Sequence, residues 1–311
     1  MNSNPIEIFL AVDGGGTKTQ VLCANGAGEI LGEGLSGPTN LTTTNIGAAS
    51  FSLREALRQA TANLSPGWKA KRLVMGVAGM DVPAEEANAR QVFSEVVADY
   101  GLEDFLLVND IVIALASGAT QPNAIALIAG TGSNCYGRND QGQEVKVGGM
   151  DYLLSDQGSG YEIGLKTLKA AVASYDGRIA KSQLEDLICA HFQIRNIIEL
   201  KTQVYNPTLG KAEVADLARI CHQAHEVGDA AAKQILDEAV VGLYELTTTA
   251  LRRLNLEQAR VDLVLVGGVT KFNYIYQKLD EKLSQVCPKL VIIRPDKEPV
   301  YGALRMALNP W

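Results

Sequence analysis

The sequence predicts an α/β protein of two duplicated domains with a cleft between them. Its 311 residues, 47% of them apolar, are enough for two hydrophobic cores. The chain opens at 6–34 with an apolar strand, a turn of small residues and two further strands. The same order returns at 124–147, which indicates an internal duplication.

Hydrophobic periodicity and turn residues place each element. In the first half, strands are predicted at 6–12, 20–24, 29–34, 72–78 and 105–108. Helices are predicted there at 45–64, 85–100 and 111–116. In the second half, strands are predicted at 124–129, 134–137, 144–147, 261–266 and 290–293. Helices are predicted there at 158–174, 183–191, 211–226, 229–254, 272–286 and 299–308.

The polar segment SGATQPN is the predicted junction between the domains. We therefore expect domains at 1–117 and 118–297, the second with a helical insertion. The terminal helix at 298–311 is expected to pack back on the first domain.

Composition excludes several classes of function. Lys and Arg total 28 against 35 Asp and Glu, and the net charge of −7 argues against a nucleic-acid or anionic-lipid partner. The start, MNSNPIEIFLAV, lacks the basic region of a secretory leader. Five widely spaced cysteines indicate neither a disulfide framework nor a zinc ribbon, so a reducing cytoplasm is predicted.

The stretch VDGGGTKT follows the first strand and indicates a phosphate-binding turn. A Walker A loop is excluded because it needs G-x-x-x-x-G-K-S/T before a helix, whereas a strand follows here. A dinucleotide fingerprint would need glycine at Thr19. A β-hairpin clamp remains, in which backbone N–H groups close on phosphate oxygens. Its predicted ligands are Gly14, Gly15, Gly16, Thr17 and Lys18.

Asp13 would repel a polyphosphate unless a divalent cation lay between them, which suggests Mg²⁺ held largely through water. A plain glycine-rich hairpin with an exposed lysine is the alternative. The duplicated position in the second half carries a second candidate turn, which consists of Gly130, Thr131, Gly132 and Ser133. Two such turns could hold a nucleotide's phosphates from both sides.

The paired turns resemble those of the actin, sugar kinase and Hsp70 superfamily, and within it the N-acetylglucosamine kinase group of the BadF/BadG/BcrA/BcrD ATPase family. The resemblance rests on DGGGTKT, SGPTN, VND, AGTGS, GGMDYLLSDQGSGYEIG, LVGGV and P-x-x-GAL, in the family's order along nearly the whole chain. It implies two actin-like (ribonuclease H-like) domains, ATP and Mg²⁺ as cofactors, and an amino sugar, most simply N-acetylglucosamine, phosphorylated at its 6-hydroxyl. Glucosamine and N-acetylmuramic acid are alternative substrates.

Carried over by motif, the resemblance assigns the metal to Asp13 and the phosphates to both turns. It brings Gly267 and Gly268 close to the adenosine, although a tight turn after a strand is the alternative. The residues that it implies for the sugar are Asn40, Asp110 and Asp156.

Asp110 is the predicted general base, since it follows the strand at 105–108, and open α/β sheets bind ligands at the carboxyl ends of their strands. Helix N-caps are the alternatives for both Asp110 and Asp156. The chain departs from the family at Met150 and Gln157, where the group commonly has Trp and Glu, so the preferred sugar stays open.

Two other classes of function compete. An activator ATPase of a radical dehydratase would need paired cysteine ligands for an iron–sulfur cluster, and a sugar sensor would use the fold without turnover. His222 and His225 lie in CHQAH, which we interpret as a solvated helix face rather than a zinc site. A homodimer is a further expectation from the resemblance.

Overall fold

The computed structural model describes residues 6–102 and 104–309. They form two compact units. The first contains the described residues up to Ala119 together with those from Arg294 onward, and the second is Thr120–Ile293. From the sequence, the two domain boundaries are expected after residues 117 and 297.

The first unit is built on a five-stranded sheet. Its strands are β1 (Glu7–Gly14), β2 (Thr19–Asn25), β3 (Ile30–Ser36), β4 (Lys69–Val77) and β5 (Leu106–Asn109). The spatial order is β3-β2-β1-β4-β5. β1 to β3 pair antiparallel, whereas β4 and β5 run parallel to β1, so the carboxyl ends of β1, β4 and β5 meet at one edge.

Helices cover both faces of this sheet. They are α1 (Ile46–Thr61), α2 (Pro83–Ala98), α3 (Asp110–Gly118) and, from the end of the chain, α11 (Pro299–Leu308). Ile8, Leu10 and Val12 of β1 pack with α1 and α2, whereas Phe9 and Ala11 pack with α3 and α11. This alternation is the period of two that a sheet buried on both sides requires.

The second unit repeats the same sheet. Its strands are β6 (Ala124–Ala129), β7 (Ser133–Arg138), β8 (Glu144–Gly148), β9 (Val261–Val266) and β10 (Leu290–Ile293). The order β8-β7-β6-β9-β10, with β6 to β8 antiparallel and β9 and β10 parallel to β6, matches the first sheet strand for strand. The duplicated α/β architecture predicted from the sequence is thus confirmed.

Most helices of the second unit lie between β8 and β9 in the chain. They are α4 (Gly160–Tyr175), α5 (Gln183–Phe192), α6 (Leu200–Tyr205), α7 (Lys211–Asp216), α8 (Ala218–Glu226) and α9 (Ala230–Arg253). α10 (Asn273–Val286) connects β9 to β10. Among the described residues, no helix is long and apolar enough to cross a membrane.

The prediction of one continuous helix at 211–226 is wrong, and the difference affects the candidate site. The segment 211–226 forms two helices, α7 and α8, that are separated at Leu217. This residue is fully buried in the core, and its N–H donates to the carbonyl of Val214, three residues earlier, instead of the carbonyl four residues earlier as in an α-helix. Close packing on α4 fixes α7, since a Cβ on Gly164 would overlap the Val214 carbonyl oxygen. The short helix α6 was not predicted.

Candidate active site

The glycine-rich turn joins β1 to β2, so the predicted hairpin context is what the structure shows. The Gly15 N–H donates to the Lys18 carbonyl at 2.9 Å, and the Gly15 carbonyl accepts from the Thr39 and Asn40 N–H groups at 3.1 and 3.2 Å. A Cβ on Gly14 would overlap Thr39 Oγ1. The SGPTN segment therefore braces the turn, and glycine is required for that close approach.

Lys18 and Thr17 are exposed at the tip of this turn. Lys18 Nζ pairs with Glu298 Oε1 at 2.9 Å, immediately before α11, and lies 3.4 Å from Gln20 Oε1. The hydrogen bond from Lys18 lowers the pKa of Glu298. The ammonium group that was predicted to face phosphate is thus held by a carboxylate in this structure.

Asp13 and Asp110 lie at the edge where the parallel strands end. Asp13 is level with Gly76 of β4, and the next residue of β4, Val77, is level with Asn109 at the end of β5. Burial and the charge of Asp110 together raise the pKa of Asp13 to about 6, against a smaller lowering by Lys18. Two neighbouring carboxylates provide the hard oxygen donors that suit Mg²⁺.

Asp110 is the first residue of α3, and the helix is capped by its neighbour. Asn109 Oδ1 accepts from the Ile111 N–H at 3.2 Å, while Asn109 Nδ2 donates to the Met80 carbonyl at 2.9 Å. The alternative interpretation of Asp110 as the N-cap is therefore wrong. A carboxylate in the first turn is favoured by the helix dipole, so Asp110 stands at the start of α3 without serving as its cap.

Asn40 is buried beside the first turn. Its Oδ1 accepts from the Thr42 N–H at 2.9 Å and from Thr42 Oγ1 at 2.7 Å. A Cβ on Gly79, whose φ of 75° is left-handed, would overlap the Asn40 side chain. Asn40 thus lies between the glycine-rich turn and the segment that follows β4. A cavity of about 60 Å³ adjoins it, lined by residues that include Leu41, Thr42, Gly79, Met80 and Glu85.

The second turn, Gly130 to Ser133, connects β6 to β7 at the duplicated position. The Gly130 N–H donates to the Gly132 carbonyl at 2.9 Å, and the Gly130 carbonyl accepts from the Gly160 N–H at 2.7 Å. Ser133 Oγ donates to the Gln157 carbonyl at 2.7 Å. The first turn of α4 and the residues before it therefore fix the shape of this loop.

A cavity of about 250 Å³ opens beside this second turn. Three predicted residues line it, namely Gly130, Thr131 and Gly268. Gly267, at the end of β9, has a φ of 106°, and a Cβ there would overlap the Ala129 carbonyl oxygen. Gly267 thus makes the tight turn, and Gly268 lines the cavity.

The other residues that line this cavity were not predicted as site residues from the sequence. They are Gly160, Ala212, Ala215, Asp216, Ala218, Arg219, Val269 and Phe272. Small residues on α7 and α8 leave the space open, and Arg219 pairs with Asp216 at 3.1 Å on its rim. Gly160 and Val269 lie within quoted motifs, but no motif marks the walls on α7 and α8, which come together only through the break between these two helices.

The two histidines of CHQAH are half-buried, so the prediction of a solvated helix face is wrong. The His222 ring stacks on Phe272 with centroids 4.3 Å apart, and the His225 ring packs against Tyr274 at 4.2 Å. Within the part of the chain that the structure describes, no group of three or more His, Cys, Asp or Glu side chains could hold a metal ion. A cation at Asp13 would therefore depend on water and phosphate for most of its ligands.

Asp156 is 4% exposed and has a left-handed φ of 71°. Its Oδ2 accepts from Lys211 Nζ at 3.0 Å and would lie 2.8 Å from a Cβ on Gly132. The cap of α4 is Ser159, whose Oγ accepts from the Glu162 N–H at 3.1 Å. The N-cap interpretation of Asp156 is wrong, and its carboxylate lies against the second turn.

The family departures fall in the same loop. Met150 is 59% exposed, and its N–H donates to Ser155 Oγ at 2.8 Å. Gln157 contributes its backbone carbonyl to Ser133 and packs its Cβ where a side chain on Gly242 would lie. Gln157 thus has a packing role, whereas the Met150 side chain is open to solvent.

The profile of the BadF/BadG/BcrA/BcrD ATPase family matches residues 10–307. The chain belongs to this family. It is 31% identical over 305 residues to an N-acetylmuramic acid/N-acetylglucosamine kinase of Clostridium acetobutylicum, covering 97% of this chain and 98% of that one. It is 26% identical to an N-acetyl-D-glucosamine kinase of Dictyostelium discoideum, with 97% and 98% covered.

The fold is also similar to that of a solved structure. A structure described as a putative N-acetylglucosamine kinase from Chromobacterium violaceum superposes with a TM-score of 0.73 at 23% identity, covering 98% of this chain and 99% of that one. The family resemblance and the actin-like fold class that the sequence predicts are both confirmed.

Proposed function

We propose that this protein transfers the γ-phosphate of ATP to the 6-hydroxyl of an amino sugar, most simply N-acetylglucosamine. The observation that carries the proposal is the pair Asp13 and Asp110 beside the glycine-rich turn of the first unit. The substrate class is supported by the two relatives, since the names of both include N-acetylglucosamine.

Phosphoryl transfer needs an oriented acceptor, neutralised phosphate charge and little covalent chemistry from the protein. In this proposal Asp110 accepts the proton of the sugar hydroxyl. Asp156 accepts hydrogen bonds from other ring hydroxyls, and the Asn40 amide accepts or donates them. The two turns supply backbone N–H groups to the phosphates. The 250 Å³ cavity, with its Phe272 and Arg219 walls, supplies the space for the nucleoside.

Asp13 is the residue that would hold Mg²⁺. Its raised pKa shows that the site disfavours an uncompensated carboxylate, which a bound cation would relieve. Mg²⁺, when bound, would neutralise charge on the transferred phosphate.

A panel of acceptors tests the proposal. Purified protein with ATP and Mg²⁺ is assayed for ADP release with N-acetylglucosamine, glucosamine, N-acetylmuramic acid, N-acetylmannosamine and glucose. We expect the largest kcat/KM with N-acetylglucosamine. A larger value with glucosamine or N-acetylmuramic acid would move the assignment to that sugar, and ADP release that no sugar stimulates would contradict a sugar kinase.

The cysteines favour a kinase over an activator ATPase. Cys23, Cys135, Cys221 and Cys287 are buried free thiols in the described structure. Burial raises the pKa of Cys23 to about 11 and that of Cys221 to about 12, which opposes the thiolate form that an iron–sulfur cluster requires. Iron in the purified protein would reverse this preference. A cytoplasmic location and a homodimer stay predictions.

A further inference from the structure

Lys211, the first residue of α7, joins two carboxylates of the loop between β8 and α4. Its Nζ bonds to Asp156 Oδ2 at 3.0 Å and also pairs with Asp151 Oδ1. It lies 5.6 Å from the centroid of the Tyr152 ring. The Lys211 side chain is 32% exposed, so one ammonium group is shared between a buried carboxylate and an exposed one.

The two carboxylates have an unusual backbone in common. Asp151 and Asp156, with φ of 68° and 71°, are the non-glycine residues of this loop that adopt the left-handed conformation. That conformation costs a non-glycine residue about 1 kcal/mol, less for aspartate than for most, and persists where contacts hold it. Lys211 contacts both strained positions and therefore holds the loop at its two ends.

Between these two positions, the Tyr152 ring packs against Tyr161 of α4 with the centroids 4.8 Å apart, whereas the two leucines that follow it are exposed. Leu153 and Leu154 are 81% and 73% exposed. Backbone hydrogen bonds from Leu154 and Ser155 to the Asp151 carbonyl close the loop into a local turn. Lys211 and the ring contact with Tyr161 are thus the two side-chain connections that we assign to this turn.

The helix that carries Lys211 also forms the nucleotide cavity. Ala212, Ala215 and Asp216 of α7 line that cavity, and Asp156 lies against Gly132 of the second turn. Lys211 thus connects a wall of the nucleotide cavity to the proposed sugar ligand Asp156. The connection is direct, through one side chain.

We infer that Lys211 is a positioning residue that orients Asp156 for the sugar and links sugar binding to occupation of the nucleotide cavity. The inference rests on the proposed sugar kinase function. Replacement of Lys211 by an uncharged residue would leave Asp156 buried without its cation and release the strained loop.

The test compares Lys211→Met, Lys211→Arg and a matched control, Lys233→Met. Lys233 is also paired with a carboxylate, Asp237, and lies 5.8 Å from the centroid of the Tyr274 ring in the same unit, but it is not among the residues that line the 250 Å³ cavity. Steady-state kinetics give kcat and KM for sugar and for ATP, and calorimetry gives the sugar Kd with and without a non-hydrolysable ATP analogue.

We expect Lys211→Met to raise the sugar KM about tenfold or more, the effect of losing a charge-assisted hydrogen bond to a buried carboxylate. Its KM for ATP should change little. The ATP analogue should tighten sugar binding in the unaltered protein but not in Lys211→Met. Lys211→Arg should restore most of the affinity, and Lys233→Met should match the unaltered protein.

Three outcomes would overturn the inference. The first is an unchanged sugar KM in Lys211→Met. The second is an increase in the KM for ATP instead, which would make Lys211 a phosphate ligand. The third is a fall in kcat and melting temperature together with a rise in both KM values, which would make its role structural. If Lys211→Met does not fold, Asp151→Asn removes the exposed partner alone and should still raise the sugar KM. An unaltered protein with no sugar-dependent turnover would overturn the proposed function as well.

Discussion

Asp13 and Asp110 are neighbouring carboxylates with different surroundings. Asp13 ends a central strand and is largely buried, whereas Asp110 opens a helix whose cap is supplied by Asn109. Burial and the charge of Asp110 both favour the protonated form of Asp13 when no cation is present. The different surroundings support a division of labour in which Asp13 serves the metal and Asp110 the acceptor.

Asp110→Asn tests the second role. We expect kcat to fall by about 10²- to 10⁴-fold with a nearly unchanged sugar KM, because the amide keeps the shape but cannot take the proton. Asp104→Asn, on the exposed side chain before β5, is the control and should be neutral. Near-normal turnover in an Asp110→Asn protein that binds sugar would remove the general base from this position.

Asp13 predicts a pH dependence of stability in the metal-free protein. Its pKa is about 6 in the folded state against 3.8 for an aspartate exposed in an unfolded chain. The folded state therefore binds an extra proton between these values, and stability falls as pH rises from about 4 to 6.5. The loss is about 3 kcal/mol at most, since one pKa unit corresponds to about 1.4 kcal/mol.

Urea unfolding of the unaltered protein and of Asp13→Asn across this pH range measures the effect as a difference. The difference should change with pH in metal-free buffer and shrink when Mg²⁺ is added. A pH-independent difference would show that Asp13 is not the group responsible.

At the level of single elements, α11 determines where Asp110 lies. A Cβ on Gly302 of α11 would overlap the Ile113 carbonyl oxygen of α3, so the two helices touch backbone to backbone. Arg305 of α11 also donates to the carbonyls of Ala116 and Ala119 at the end of α3. The terminal helix therefore supports the helix that begins with Asp110.

Gly302→Val should push these helices apart, lower stability by roughly 1–3 kcal/mol and reduce kcat, because overpacking a close contact shifts the backbone. Gly47→Ala in α1 is the matched control. Its Cβ would lie 3.5 Å from Asn45 Oδ1, an ordinary contact, so we expect a gain of up to about 1 kcal/mol. Thermal melts and kcat of both variants measure the contrast, and a neutral Gly302→Val would contradict the supporting role.

The elements show what sequence could and could not predict. Strand β6 and helix α11 were predicted to the residue, because hydrophobic period and flanking turn or proline residues fix them locally. The break at Leu217 was not, because tertiary packing on α4 decides it. The Lys211 to Asp156 bond joins residues 55 apart, and no local pattern can predict such a pair.

At the scale of the whole molecule, two copies of one sheet topology carry different candidate groups. The first unit holds the carboxylate pair, and the second holds the 250 Å³ cavity. Sequence could predict the duplication because both copies keep the strand-turn-strand order. It could not predict the cavity walls on α7 and α8, which lie in the helical insertion where the copies differ.

Identification of the product tests the central claim most directly. The protein is incubated with N-acetylglucosamine, ATP and Mg²⁺, and the products are followed by phosphorus NMR with mass spectrometry. We predict that an N-acetylglucosamine phosphomonoester at the 6-oxygen forms in an amount equal to that of ADP. Release of inorganic phosphate and ADP without a sugar phosphate would contradict it.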